Sequence, residues 1–104
     1  MSETTATVAE IVTFRLLEGT DPAAFVAAAR AIEPLLRLSS EVLSRTLSKA
    51  EDGTWTDHIT WTSMAAAKAT AEKMMAAPEA GPMMQMIDPD HVTLRHAMIQ
   101  YQQE

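Results

Sequence analysis

The stretch that decides the fold is residues 51–77, which read EDGTWTDHITWTSMAAAKATAEKMMAA. Glu51-Asp52-Gly53 predicts a tight hairpin loop, because glycine takes the left-handed conformation without a Cβ penalty. The next residues, Trp55 to Thr62, alternate between apolar and polar side chains with the two-residue period of a strand. Ser63 then predicts a helix N-cap, since its hydroxyl can accept a bond from a free backbone amide, and an Ala- and Met-rich helix follows as far as Pro78.

The hairpin loop also predicts which residues of its two strands lie opposite each other. Centring it on Asp52 gives three cross-strand pairs: Leu47 with Asp57, Arg45 with Ile59, and Leu43 with Trp61. Because side chains alternate between the two faces of a strand, Trp55 and Trp61 share one face with Asp57, and His58 lies on the other. The face with the tryptophans is the more apolar one, so we expect it to face the core.

The rest of the chain supplies three further strands and one further helix. The predicted strands cover residues 7–16, 42–48 and 91–101, and residues 79–90 form a Met- and Pro-rich connection with room for a short helical turn. Asp21-Pro22 begins the other helix, because a capping carboxylate followed by proline at the first helical position is a typical helix start. Pro34 removes one backbone hydrogen bond, so it should kink or end this helix near Glu33.

The predicted order is strand, helix, strand, strand, helix, strand. It is typical of an α+β, ferredoxin-like βαββαβ fold, an antiparallel sheet with two helices on one face. We expect a single domain over residues 7–101, with a flexible N-terminal tail at 1–6 and a C-terminal tail at 102–104. The sheet face without helices is half apolar and rich in threonine. An exposed patch of that kind favours association, so we expect a homodimer through this face.

Composition excludes several classes of protein. Hydrophobic residues make up 47% of the chain, which argues against disorder, and no apolar run approaches the ~20 residues of a membrane span. A net charge of −6 disfavours nucleic acid and anionic membranes as partners, because both reward clustered Lys and Arg. The absence of cysteine excludes disulfides and Cys-ligated zinc. The first residues lack the basic and apolar regions of a signal peptide, so a cytoplasmic location is expected.

Four ionisable residues fall on apolar strand faces: Glu10, Arg45, Asp57 and His96. Burying charge is costly unless it is paired, so these groups should either form ion pairs or line a hydrated pocket. One interpretation is a structural salt bridge between Asp57 and Arg45, which are diagonal across the hairpin. The other is a catalytic cavity between sheet and helices, with His96 as general base and Glu10 or Asp57 orienting it, because the pKa of imidazole lies near working pH.

The candidate ligand-binding residues are large and apolar, apart from one arginine: Trp61, Trp55, Arg45, Met75 and Met83. Trp61 either belongs to the core or forms a stacking wall for a planar ligand, and the methionines either fill the core or form a flexible pocket mouth. His58 is a hydrated or interface residue, or a ligand contact, on the face opposite His96. Because His58 and His96 do not converge, we expect no metal site.

Three runs of residues resemble a known family: Asp52-Gly53-Thr54-Trp55-Thr56-Asp57, Trp61-Thr62-Ser63, and Met75-Ala76-Ala77-Pro78-Glu79. With the closing strand, they are similar to the dimeric α+β barrel superfamily, and in particular to small antibiotic biosynthesis monooxygenase-like proteins, over residues 7–101. The resemblance implies two sheets packed face to face as a barrel with the helices outside. Members of the superfamily oxidise quinol-like substrates without a cofactor, degrade haem or cyclise polyketides, and others have no known activity.

Two functions follow from the resemblance. The first is a cofactor-independent monooxygenase-like enzyme that acts on a small aromatic or quinol-like molecule and uses no cofactor. The alternative is a non-catalytic homodimeric module that binds a small apolar or aromatic ligand. Haem degraders of the superfamily place a ligating histidine on a helix, whereas the three histidines here lie on or beside predicted strands. That difference argues against haem degradation.

Overall fold

Four antiparallel strands form one sheet in the computed structural model, which describes residues 7–103. The strands are β1 (Val8–Leu16), β2 (Val42–Lys49), β3 (Trp55–Trp61) and β4 (Ile87–Met98), in the spatial order β2-β3-β1-β4. The helices are α1 (Pro22–Ala31), α2 (Glu33–Leu38), α3 (Met64–Ala76) and α4 (Gly81–Met86), with a 3-10 turn at Pro78–Ala80. This order and pairing confirm the predicted ferredoxin-like α+β fold. The predicted tail at 1–6 and the last residue, Glu104, lie outside the described residues.

Local signals define the helix boundaries. Asp21 Oδ1 accepts a hydrogen bond of 3.1 Å from the amide of Ala23, which caps α1. The predicted interruption at Pro34 is confirmed, because α1 ends at Ala31 and α2 begins at Glu33. Ser63 Oγ accepts a bond of 3.1 Å from the amide of Ala66, so the predicted cap of α3 is confirmed as well.

The hairpin loop has the predicted glycine in the left-handed region. Gly53 has φ +92°, and a Cβ there would lie 2.8 Å from Nη2 of Arg15, so a side chain would also clash. The same Nη2 donates a hydrogen bond of 2.7 Å to the carbonyl of Asp52. Arg15 therefore connects β1 to the loop between β2 and β3.

The predicted register of this hairpin is correct at two pairs and wrong at the third. Leu47 lies opposite Asp57 and Arg45 opposite Ile59, but the residue opposite Trp61 is Val42 rather than Leu43. The register shifts between Val42 and Ser44, so a bulge leaves Leu43 out of the pairing and 57% exposed.

The last strand both begins and ends earlier than the sequence predicts. β4 begins at Ile87 instead of His91 and ends at Met98 instead of Tyr101. Ile87 pairs with Leu16 of β1, and the amide of Leu17 donates a bond of 2.9 Å to the carbonyl of Met86, which extends the ladder. Pro89 does not break the strand because β4 is an edge of the sheet and because Pro89 lies where the register against β1 shifts, so a missing backbone donor is tolerated.

The core lies between the helices and one face of the sheet. Its centre is an aromatic cluster of Phe14, Phe25 and Trp55, in which the Phe25 ring centroid lies 5.4 Å from that of Phe14 and 5.0 Å from that of Trp55. Val8 and Trp61, on the same sheet face, are also buried. Within residues 7–103, no helix is long and apolar enough to cross a membrane.

Candidate functional site

An open cavity of about 390 Å³ lies between the sheet and the helices. Its volume falls within the ~300–1,000 Å³ that is typical of small-molecule sites. Its walls come from β1, β3, the end of α3, α4 and the start of β4, and most of the lining side chains are apolar. The ionisable side chains in the lining are two carboxylates, Glu10 and Asp57.

Glu10 lies opposite His96 across the β1–β4 ladder. His96 Nε2 is 3.5 Å from Glu10 Oε1, and the two side chains are only 22% and 14% exposed. This distance is at the long limit for a hydrogen bond, so the buried Oε1 has no partner of good geometry. The structure therefore brings together two of the three predicted catalytic residues, Glu10 and His96.

The surroundings of Glu10 raise the pKa of its carboxyl group above the ordinary value of 4.5. Burial is the main cause, because it disfavours the charged form. The nearby His96 and the indole of Trp61 lower the pKa and partly offset burial, while the negative charge of Asp57 raises it. A carboxylate with a raised pKa is a better proton acceptor than an ordinary one, which suits general-base chemistry.

Asp57, the third predicted catalytic residue, is held by Arg45. The guanidinium donates from Nε to Oδ1 at 3.0 Å and from Nη2 to Oδ2 at 2.8 Å, which confirms the predicted ion pair. Arg45 also donates from Nη1 to the carbonyl of Ala29 at 2.9 Å, and its Nη2 lies 3.9 Å from Sδ of Met83. Both Asp57 oxygens are thus occupied, and the pair connects the sheet to α1 and α4.

The two tryptophans do not line the main cavity. Trp61 is 2% exposed, and its buried indole N–H has no hydrogen-bond partner, although the ring lies near enough to Glu10 to affect the pKa of that residue. Trp55 packs in the aromatic cluster with Phe14, which does line the cavity. Trp55 and Arg45 border a separate hollow of about 240 Å³ beside α1.

The predicted methionines do line the main cavity. Met83 is buried, and Met75 is 76% exposed. Two further methionines, Met74 and Met84, line the cavity and adjoin Met75 and Met83 in the sequence. Their clustering at the end of α3 and in the residues that follow is the signal that predicts either core filler or a flexible pocket mouth. Thioether side chains are flexible, so these four residues form an adaptable wall.

The remaining histidines lie away from this cavity. His58 is exposed on the opposite sheet face, and His91 Nδ1 lies 2.9 Å from Oδ2 of Asp88 at the surface. Between residues 7 and 103, no group of three or more His, Asp or Glu side chains is arranged to hold a metal ion.

Comparison with known proteins identifies the fold. No family model matches the sequence, and no curated protein matches it significantly. Solved structures do match. SnoaB, a cofactor-independent oxygenase from Streptomyces nogalater, superposes with a TM-score of 0.64 at 16% identity, covering 96% of this chain and 97% of SnoaB. A protein from Chloroflexus aurantiacus, provisionally named an antibiotic biosynthesis monooxygenase, has a TM-score of 0.67 at 11% identity, covering 95% and 98% of the two chains.

The chain shares its α+β fold with these two proteins. Rv0793 from Mycobacterium tuberculosis has this fold too, with a TM-score of 0.70 at 16% identity over 95% of this chain and 100% of that one. The resemblance seen in the sequence is therefore confirmed for the fold.

Proposed function

We propose that this protein is a cofactor-independent, monooxygenase-like enzyme that acts on a small aromatic or quinol-like molecule. The observation that carries the proposal is the buried Glu10 carboxylate, which lines an apolar cavity and contacts His96. The fold that the chain shares with a cofactor-independent oxygenase supports it.

In this chemistry the deprotonated substrate supplies electrons to dioxygen, so the protein has to provide a proton acceptor and a cavity that excludes water. We assign the first role to Glu10 and His96 acting as a pair. Glu10 lines the cavity, and His96 contacts Glu10 from the neighbouring strand. The negative charge of Asp57 raises the pKa of Glu10. Arg45 holds the Asp57 side chain in place through its hydrogen bonds.

The apolar lining would bind the aromatic ring. Met75 and Met83, with the neighbouring methionines, adapt to the shape of a planar ligand. Trp61 lowers the pKa of the Glu10 carboxyl group, and Trp55 packs on Phe14, which lines the cavity.

Oxygen uptake tests the proposal. With a panel of naphthohydroquinones, the protein should show saturable uptake above the spontaneous rate. Glu10→Gln should reduce this uptake at least ~100-fold, because a general base contributes ~10²–10⁴-fold. Uptake should also be lost as the pH falls through the raised pKa of Glu10, because a protonated carboxyl group cannot accept the substrate proton.

A matched control for Glu10→Gln is Glu72→Gln, which alters an exposed side chain on α3 outside the cavity lining and should leave uptake unchanged. His96→Gln should lower uptake as well. The proposal fails if no quinol gives saturable uptake, or if uptake is the same in Glu10→Gln.

The second candidate function is a non-catalytic, homodimeric small-molecule-binding module. The 3.5 Å separation of His96 and Glu10 favours it, because proton transfer needs a formed hydrogen bond of ~2.6–3.2 Å. Binding of a quinol in the cavity with no oxygen uptake would support this function over the first.

We further propose that two copies associate through the sheet face that carries no helices. Ile11 is half-buried there and Ala97 is exposed, while Tyr101, just beyond β4, is 80% exposed. Sedimentation equilibrium in dilute buffer should give about twice the chain mass of 11.4 kDa. A single copy at micromolar concentration would contradict this proposal and leave the enzymatic one standing.

A further inference from the structure

We propose that the main cavity selects uncharged ligands with a weakly acidic hydroxyl group and excludes carboxylates and other anions. The selection comes from the charge of the cavity wall and from one hydrogen-bond acceptor, Glu10. This inference rests on the proposed function in that it takes the same cavity as the substrate site.

The wall of the cavity contains acids and no bases. Among the described residues, its lining includes Glu10 and Asp57 but no lysine, arginine or histidine. Arg45 uses its guanidinium to form two hydrogen bonds with Asp57, so this pair carries no net charge. Glu10 is therefore the acid of the wall that no guanidinium group neutralises.

His96 is the other ionisable group that affects the electrostatic potential near Glu10. Its Nε2 lies 3.5 Å from Glu10 Oε1, and its side chain lies outside the cavity lining. A ligand in the cavity thus meets the Glu10 carboxylate and not the imidazole. Glu10 would therefore lie between such a ligand and any positive charge on His96.

Glu10 also offers a hydrogen-bond acceptor to a ligand hydroxyl group. Its Oε1 is buried beside His96, out of reach of a ligand, so the acceptor is the part of the carboxylate that lines the cavity. A phenolic hydroxyl can donate there, and the remaining lining is apolar enough to hold the ring. A ligand carboxylate in the same place would set one negative acceptor against another, which is unfavourable for both.

Three probes of the same ring size test this inference: 1-naphthol, 1-naphthoate and naphthalene. Their affinities for the full-length protein are measured by isothermal titration calorimetry at neutral pH. We expect 1-naphthol to bind at least ~10-fold more tightly than either of the others, because a hydrogen bond to a charged group contributes ~1.5–3 kcal/mol and 1.4 kcal/mol is tenfold in affinity.

Glu10→Gln removes the negative charge while keeping the size of the side chain. In this variant the ratio of the 1-naphthol affinity to the 1-naphthoate affinity should fall at least ~5-fold, chiefly because 1-naphthoate should bind more tightly than it does to the unmodified protein. Glu72→Gln is the matched control, since Glu72 is exposed on α3 outside the cavity lining, and it should leave the ratio unchanged.

Binding of 1-naphthoate as tight as that of 1-naphthol in the unmodified protein would overturn the inference, and so would no measurable binding of 1-naphthol. The same ratio in Glu10→Gln as in the unmodified protein would overturn the role of Glu10. None of these measurements involves turnover. Selectivity without oxygen uptake therefore contradicts only the proposed enzyme, and uptake without selectivity contradicts only this inference.

Discussion

Replacing Arg45 by Met should lower the free energy of unfolding by about 3–5 kcal/mol, the cost of removing one partner of a buried ion pair. Asp57 is 6% exposed, and Arg45 supplies hydrogen bonds to both of its carboxylate oxygens. Without Arg45 the carboxylate would stay buried and uncompensated. The bond from Arg45 to the carbonyl of Ala29 would be lost at the same time. Urea unfolding followed by circular dichroism measures the change.

The double variant Arg45→Met/Asp57→Leu separates the cost of a stranded charge from the value of the pair. Because apolar replacement of a whole buried pair is often neutral, it should recover most of the lost stability. Arg37→Ala is the matched control for a surface pair. Arg37 forms an exposed i,i+4 contact of 3.3 Å with Glu33, and its loss should cost only ~0.3–0.5 kcal/mol. If Arg45→Met is no less stable than Arg37→Ala, the ion pair does not hold the sheet to the helices.

Replacing Phe25 by Ala should cost about 3–5 kcal/mol as well, for a different reason. Phe25 is 0% exposed, and its ring contacts both Phe14 and Trp55 across the interface between α1 and the sheet. Truncation removes the largest apolar group of α1 and leaves a void that rigid strands cannot fill. Urea unfolding gives the stability, and the near-ultraviolet circular dichroism of Trp55 should weaken in parallel.

The neighbouring residue provides a control in the same turn of α1. Val26 is 37% exposed, so Val26→Ala should change stability by no more than ~0.5 kcal/mol. Phe25→Leu should fall between the two, because it keeps most of the apolar contact. A loss below ~1 kcal/mol for Phe25→Ala would mean that the aromatic cluster is not the centre of the core.

The elements that the sequence predicted correctly each carry a local physical signal. The capping residues Asp21 and Ser63, the helix interruption at Pro34 and the positive-φ Gly53 act within a few residues of themselves. The start of β4 had no such signal. Pro89 stands between two aspartates, which is typical of a loop, and it is acceptable in a strand because it lies on an edge strand at a register shift against β1.

The site was predictable in part for the same kind of reason. Arg45 and Asp57 are charges on apolar faces of adjacent strands, so electrostatic cost alone demands that they pair. The contact between Glu10 and His96 depends on the register of β1 against β4, strands that are distant in sequence. The position of the tryptophans behind the cavity wall, instead of in it, depends on how the helices pack, which strand periodicity does not specify.

Pro89 and the bulge at Leu43 have a consequence for aggregation of the protein at high concentration. They lie on the two outermost strands, β4 and β2, whose free margins could otherwise accept a foreign strand. Proline on an edge strand and a bulge in an edge strand both hinder pairing with another chain. Each outer strand of the sheet thus carries one feature of the kind that disfavours fibril growth.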